Sequence, residues 1–299
     1  MAFPSATISF PSHSLYTFHE HLKHSKRIVA LLGADLSALT DLELIYEGSD
    51  DELRPNNGPS TEASEHASDW ARNFYHRLRQ QALIAQPNEA HEALARLAEK
   101  KGRDGFFALN MNVDGLCARA GLPAEQMIVL RGNLFDLHCG SEGCGYSERC
   151  NMVKHPGETA PVVPGSDLAI SEFGDLPTCP RCEVAILQPD TVSFVEDLPK
   201  ELLTIADKYI EEVDHIDLML VIGPTASIWP AARYVEAAVA KGARVALVTT
   251  DRRDLTPDVD GLYLTDSDWC FVGNASKLVP ELLQPIVDEF ADVGEWCDC

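Results

Sequence analysis

The sequence predicts an α/β fold in which a parallel sheet carries helices on both faces and a small cysteine-bearing lobe is inserted. Short apolar runs of strand length alternate with stretches of helical periodicity, which is the pattern of a buried parallel sheet. Two close pairs of cysteines interrupt this alternation near the middle of the chain. We therefore predict a small lobe at residues 136–184, with residues 1–135 and 185–299 forming the larger domain.

Five short apolar runs predict the strands, and five longer periodic stretches predict the helices. The strands lie at residues 27–33, 106–110, 126–130, 217–223 and 244–248. The helices lie at residues 15–24, 69–85, 88–100, 230–241 and 275–291, with Asn88 as the N-cap of the third. The polar residues 47–66 predict a loop, within a flexible and helical insertion at about residues 44–86. Ligands bind such sheets outside the carboxyl ends of the strands, here near Gly33, Asn110 and Gly223.

The strong negative charge excludes whole classes of partner. Lys and Arg number 24 against 47 Asp and Glu, which gives a formal net charge of −23. Such a chain repels nucleic-acid phosphates and anionic membrane surfaces, so we expect it to bind neither. The apolar runs are far shorter than a membrane span, and the N-terminal segment lacks the pattern of a signal peptide. We therefore expect an intracellular protein, located in the cytoplasm.

Four of the nine cysteines form two close pairs that predict a structural zinc site. An odd number of cysteines in a long chain without a secretion signal argues against a disulfide framework. Paired thiolates bind Zn²⁺ tetrahedrally, and neighbouring glycines and prolines supply the turns that such a site needs. The predicted ligands are Cys139, Cys144, Cys179 and Cys182, with Cys150 as a reserve ligand and His138 as a weaker one. The alternative is a set of scattered thiols that bind no metal.

A series of short motifs follows the order found in one protein family. The motifs are residues 33–37 (GADLS), 87–91 (PNEAH), 112–116 (NVDGL), 119–121 (RAG), 130–135 (LRGNLF), the two cysteine pairs, 187–196 (LQPDTVSFVE), 223–225 (GPT), 230–233 (PAAR) and 268–273 (DWCFVG). Over nearly the whole chain this order resembles the sirtuins, which are NAD-dependent protein lysine deacylases. The resemblance implies a Rossmann-like parallel sheet with a small zinc-binding lobe, an NAD site and an acylated peptide substrate.

The resemblance also implies roles for individual residues. Cofactor contacts fall on Gly33, Ala34, Asp35, Ser37, Gly223, Thr225 and Thr249. Substrate contacts fall on Tyr75, Val192, Phe194, Val195 and Glu196. The catalytic positions are Asn112, Asp114 and Arg131, of which the first two lie with Ser37 around the nicotinamide carboxamide.

The stretch around Tyr75 looks most like the sirtuin branch that removes acidic acyl groups such as succinyl and malonyl. That branch pairs a tyrosine with an arginine three positions later, where this chain has Leu78 between Arg77 and Arg79. The acyl class therefore stays open. His76 and His91 lie in helical patterns, so we expect surface or packing roles for both.

The family's catalytic histidine is replaced in this chain. The histidine precedes a glycine, and Arg131 stands at that position before Gly132. A histidine near neutral pKa can take a proton from the NAD ribose, whereas an arginine stays protonated at any physiological pH. Arg131 therefore cannot be the general base of ordinary deacylation.

Asp35 replaces the last glycine of the turn that approaches the NAD phosphates in the family. Two unit charges ~4 Å apart repel by roughly 1 kcal/mol in water and about 4 kcal/mol at intermediate dielectric, so this carboxylate opposes a diphosphate. The alternative is that Asp35 caps the following helix. Further departures on the same pocket are Ile45, Tyr46, Met111, Ser193 and Pro224.

Three functional hypotheses follow. In the first, the cleft binds a small molecule or acyl compound other than NAD, and Arg131 anchors a carboxylate or an oxyanion of this ligand. An extended form of this hypothesis adds a chemical conversion of the bound ligand. The second is an NAD-dependent deacylase with another base. The third is an inactive protein that holds a peptide as an added strand along residues 192–196. A purely structural interpretation is that Asn112 and Asp114 cap loops and that Arg131 pairs with Asp35 or Asp114.

Overall fold

The structure is a computed structural model that describes residues 14–37, 76, 78–141, 143–153, 177–192, 198–223, 232–250 and 264–288. The strands are β1 (Ile28–Leu32), β2 (Phe106–Asn110), β3 (Met127–Val129), β4 (Gly132–Cys139), β5 (Ser147–Glu148), β6 (Leu187–Thr191), β7 (Leu218–Ile222), β8 (Arg244–Thr249) and β9 (Trp269–Val272). The helices are α1 (Leu15–His24), α2 (Glu89–Gly105), α3 (Leu116–Arg119), α4 (Lys200–Glu212), α5 (Ala232–Ala240) and α6 (Ala275–Val287).

Six parallel strands form the main sheet, in the order β3-β2-β1-β7-β8-β9. Every residue of the central strands β1, β2 and β7 is buried, because helices cover both faces of the sheet. The strand order reverses between β1 and β7, which is the topological switch point of this class of sheet. The predicted α/β fold is confirmed.

Alternating side chains of β1 divide the core into two layers. Ile28, Ala30 and Leu32 lie in the layer that also contains buried residues of α1, α2 and α6. Val29 and Leu31 lie in the opposite layer, which contains buried residues of α4 and α5. Because successive side chains of a strand point to opposite faces, one short apolar run contributes to both layers.

A second, antiparallel sheet in the order β5-β4-β6 carries the cysteine-bearing lobe. Leu137, Cys139, Cys179 and Leu187 form the small buried cluster behind this sheet. Strands β4 and β6 extend beyond the predicted limits of the lobe at 136 and 184. Those domain limits stay a prediction.

Several predicted elements are confirmed, and others were missed. Helix α1 and strand β2 have the predicted bounds, and the Asn88 side chain caps α2 by accepting from the backbone N–H groups of Ala90 and His91. Helix α2 runs five residues beyond the predicted end at 100, with a break at Gly102, where φ is +65°. Helix α4 and strands β4, β5, β6 and β9 were not predicted. The predicted loop at residues 47–66 lies outside the described residues. Within the described ranges, no helix combines the length and apolar character needed to span a membrane.

Candidate ligand-binding cleft and cysteine cluster

The carboxyl ends of five parallel strands bring the predicted site residues to one edge of the sheet. Leu32 of β1 pairs with Asn110 of β2 and with Ile222 of β7, so the segments that follow these residues start side by side. The ladder continues past the strand ends, because the Gly33 N–H donates to the Ile222 carbonyl (2.8 Å) and the Gly223 N–H to the Val248 carbonyl (2.9 Å). The predicted location of the site is therefore a single edge in the structure.

Ser37, Asn112 and Asp114 form a buried polar network at this edge. The Ser37 hydroxyl donates to Asp114 Oδ2 (2.6 Å), and Asn112 Nδ2 donates to the Gly33 carbonyl (3.0 Å) and lies 3.4 Å from Ser37 Oγ. Each of the three side chains is at most 3% exposed. Asp114 Oδ1 also accepts from the Leu116 N–H (2.9 Å), so this carboxylate both shapes its loop and orients Ser37.

His91 lies buried behind this network. Burial lowers its pKa to about 4, against an opposing effect of the Asp114 carboxylate. Its Nδ1 lies 2.8 Å from Asn88 Oδ1, and the Asn88 amide donates to the Leu36 carbonyl (2.8 Å). His91 therefore packs in neutral form against Asn88, and Asn88 connects the start of α2 to the turn that carries Ser37.

Arg131 lies between β3 and β4 with 2% of its surface exposed. Its backbone carbonyl accepts from the Val192 N–H (2.8 Å), and its Nη1 lies 3.5 Å from the Val192 carbonyl. The next residue, Gly132, has φ of +78°, and a Cβ added there would lie 2.1 Å from the Asp190 carbonyl oxygen. The backbone around Gly132 thus holds a buried guanidinium beside Val192, the residue that follows β6.

Asp35 lies between the ends of β1 and β8. Its Oδ2 accepts from the backbone N–H of Thr250 (3.0 Å) and from the Thr250 hydroxyl (3.2 Å). Gly33 is the N-cap of the short 3₁₀-helix at residues 34–36, and Asp35 lies in its first turn. Residues 38–75 lie outside the described residues, so the alternative that Asp35 caps a following helix stays a prediction. Gly223 passes between these elements: a Cβ at this glycine would lie 3.0 Å from the Asp35 nitrogen.

The four predicted zinc ligands meet in the small lobe. The Sγ atoms of Cys139, Cys144, Cys179 and Cys182 all lie within 4.8 Å of one another. The Cys139–Cys182 and Cys144–Cys179 separations are both 3.7 Å, close to the edge of about 3.8 Å that a zinc tetrahedron with 2.3 Å bonds requires. Backbone N–H groups of Ala185 and Val184 lower the pKa of the Cys182 thiol to about 6, whereas, against the Ser141 N–H, burial and the three neighbouring thiols raise the pKa of Cys139 to about 12.

The reserve ligands are not part of this group. Among the described residues, the cluster contains the four predicted cysteines and neither Cys150 nor His138. Cys150 is exposed, and its backbone N–H donates to Asp136 Oδ1 (2.9 Å). The four-cysteine assignment is therefore the one that the geometry supports.

Arg79, beside the predicted acyl-binding stretch, has a structural role. It is fully buried, and its Nη2 donates to the Asn151 carbonyl (2.8 Å), to Asn151 Oδ1 (3.0 Å) and to the Val153 carbonyl (2.9 Å). Leu78 packs in an apolar cluster with Leu134 and Phe135. Arg77 lies outside the described residues, so the acyl class stays open.

Some predicted site residues lie outside the described residues, and some contacts were missed. Those outside are Tyr75, Phe194, Val195, Glu196, Thr225 and the departures Ile45, Tyr46, Ser193 and Pro224. Thr249 is buried at the end of β8 and belongs to the edge described above. Sequence reasoning missed the partner of Asp35, although Thr250 is the neighbour of Thr249, a predicted cofactor contact. It also missed the burial of Arg79.

Comparison with known proteins places these features in a family. The model of the Sir2 family matches residues 47–230. An NAD-dependent protein deacylase of Candida albicans is 32% identical over 92% of this chain and 98% of its own length. The mitochondrial NAD-dependent protein deacylase sirtuin-5 of Danio rerio is 27% identical over 81% of this chain and 80% of its own length.

Solved structures share the fold. A Sir2 homolog in complex with NAD superposes with a TM-score of 0.69 at 24% identity, over 95% of this chain and 99% of that one. A Sir2 homologue mutant in complex with ADP ribose superposes with a TM-score of 0.66 at 26% identity, over 91% and 96%. The matched family model and the similar relatives agree with the order of motifs in the sequence. The chain belongs to the Sir2, or sirtuin, family.

Proposed function

We propose that this chain is a sirtuin that has lost ordinary histidine-dependent deacylation and that its cleft binds a small, carboxylate-bearing acyl compound instead of NAD. The observation that carries the proposal is the buried Arg131, which follows β3 and precedes Gly132. In the sirtuin motif this position holds the histidine that removes a proton from the ribose. A guanidinium cannot accept that proton, because it is already protonated at physiological pH.

The chemistry of a guanidinium supports an anionic ligand. Its planar fork of N–H donors matches the two oxygens of a carboxylate, and such charge-assisted hydrogen bonds are strong where water is excluded. Arg131 is held by its backbone bond to Val192, which lies at the end of β6 in the stretch where the family binds substrate. A carboxylate or a developing oxyanion is the group that this position would stabilise.

The neighbouring network supports an acyl group. Ser37, Asn112 and Asp114 offer a hydroxyl, an amide and a carboxylate within one network, in which the Ser37–Asp114 distance is 2.6 Å and the Asn112–Ser37 distance is 3.4 Å. Such groups can hydrogen-bond an amide or a carbonyl of a small ligand. We place the carboxylate of the ligand at Arg131 and its amide at this network.

The four cysteines fit a structural zinc ion. Four thiolates fill a tetrahedral zinc completely, which leaves no position for substrate or water. The zinc would supply cross-linking of the two cysteine-bearing segments and would take no part in the chemistry of the cleft.

A matched pair of ligands tests the proposal. We expect titration calorimetry to show saturable binding of succinamate, which has one carboxylate, and binding at least ~10-fold weaker for succinamide, which has none. R131Q should remove this difference, and R131K should retain part of it. Equal affinities of the wild-type protein for the two compounds would contradict the proposal. Zinc content and circular dichroism show whether each variant is folded.

A second candidate is NAD-dependent lysine deacylation with a different base. The Ser37–Asn112–Asp114 network favours it, because these residues match the family's positions around the nicotinamide carboxamide, and the relatives are named NAD-dependent protein deacylases. Release of acetyl or succinyl groups from a lysine peptide by the wild-type protein in the presence of NAD would establish this function and reject the first. Activity in R131H alone would indicate that one replaced group separates this chain from catalysis.

A further inference from the structure

The crevice at the switch point is occupied by a side chain of the protein itself. Strand order reverses between β1 and β7, and in parallel α/β sheets the crevice outside this point is the usual place for a ligand. Asp35 follows β1, and its carboxylate reaches past Gly223, at the end of β7, to Thr250 at the end of β8. The Asp35 side chain thus bridges the crevice across the ends of β1, β7 and β8.

The bridge uses the donors that an anionic ligand would need. The backbone N–H and the hydroxyl of Thr250 both donate to Asp35 Oδ2, at 3.0 and 3.2 Å. A phosphate oxygen in this position would compete for the same two donors, and it would also face the charge of the carboxylate. Asp35 is half-buried, so this repulsion is only partly screened by water.

We propose that Asp35, held by Thr250, selects ligands by charge at the switch point. It excludes phosphate groups and admits neutral or cationic groups. This charge selection extends the proposed function, because it specifies that the cleft rejects the diphosphate of NAD. It rests on the proposed function, in which the cleft is the ligand site. Arg131 and Asp35 follow different strands, β3 and β1, so their effects on binding are separable.

Adenosine and ADP form the matched probes, because they differ only in the diphosphate. Titration calorimetry should show that the wild-type protein binds ADP at least tenfold more weakly than adenosine. D35N keeps an oxygen that can accept from Thr250 and removes the charge, so it should raise the affinity for ADP at least tenfold and change that for adenosine less than threefold. D35A also vacates the Thr250 donors and should bind ADP at least as tightly as D35N.

T250V tests the bridge apart from the charge. It removes the hydroxyl and keeps the backbone N–H and the carboxylate, so ADP should stay excluded. Tight ADP binding by the wild-type protein, or D35N and D35A proteins that do not gain ADP affinity, would overturn the proposal. The comparison of succinamate with succinamide reports separately on Arg131: a wild-type protein that binds these two compounds equally, yet binds ADP at least tenfold more weakly than adenosine, would reject the proposed function alone.

Discussion

The cysteine lobe and the strand-end cleft differ in the kind of groups that they bring together. In the lobe, four like residues converge within 4.8 Å and supply the set that a structural metal needs. In the cleft, the hydrogen-bonded network of Ser37, Asn112 and Asp114 is accompanied by two charged residues, Arg131 and Asp35. The comparison teaches that a set of identical ligands identifies its own chemistry, whereas the chemistry of a mixed set depends on which groups the fold brings together.

The largest expected effect comes from breaking the cysteine cluster. C179S removes a buried member of the four, so zinc binding and the order of the lobe should be lost together; structural zinc contributes on the order of 10 kcal/mol in small zinc domains. The measurements are zinc per chain by atomic emission and the unfolding temperature. C150S is the matched control, because Cys150 is exposed and lies outside the cluster. Equal losses in both variants would argue against a four-cysteine site.

Gly132, at the start of β4 between the cleft and the cysteine lobe, should be nearly as sensitive to substitution. G132A places a Cβ 2.1 Å from the Asp190 carbonyl oxygen at a φ of +78°, so β4 and β6 must separate at Arg131. From the cost of overpacking together with that of a left-handed backbone, we expect a loss of about 3 to 5 kcal/mol in the free energy of unfolding, measured in urea. G143A is the control, since a Cβ there meets nothing within 4 Å. A G132A protein as stable as G143A would show that the backbone here adapts.

The smallest effect concerns His91 behind the cleft. Its pKa of about 4 in the folded protein is below the ordinary value of 6.5, so the folded state disfavours its protonation. The contribution of His91 to the free energy of unfolding is fully present above about pH 6.5. It falls as the pH drops toward 4, by up to roughly 3 kcal/mol at 1.36 kcal/mol per pKa unit.

The pH dependence of the free energy of unfolding tests this contribution. Urea unfolding between pH 7 and 4.5 should show a shallower pH dependence in H91Q than in the wild-type protein. H24Q is the control at an exposed histidine. An unchanged slope in H91Q would assign the acid sensitivity to other groups, including the cysteine cluster.

The sequence by itself determined the central strands, the capped start of α2 and the four converging cysteines. Local periodicity shows whether one or both faces of a helix or strand are buried. Four cysteines in two close pairs can converge on a metal ion in only a few ways. Strand β9 was not predicted, because Trp269–Val272 has too few residues for a clear pattern.

Only the tertiary structure decided which side chains meet in the cleft. Asp35 and Thr250 are 215 positions apart, and they touch because the sheet places β8 only one strand away from β1, with β7 between them. The burial of His91 and Arg79 likewise depends on neighbours that are distant in sequence. Periodicity records whether a residue faces the core, whereas the partner of a charge is set by strand order, which no local pattern contains.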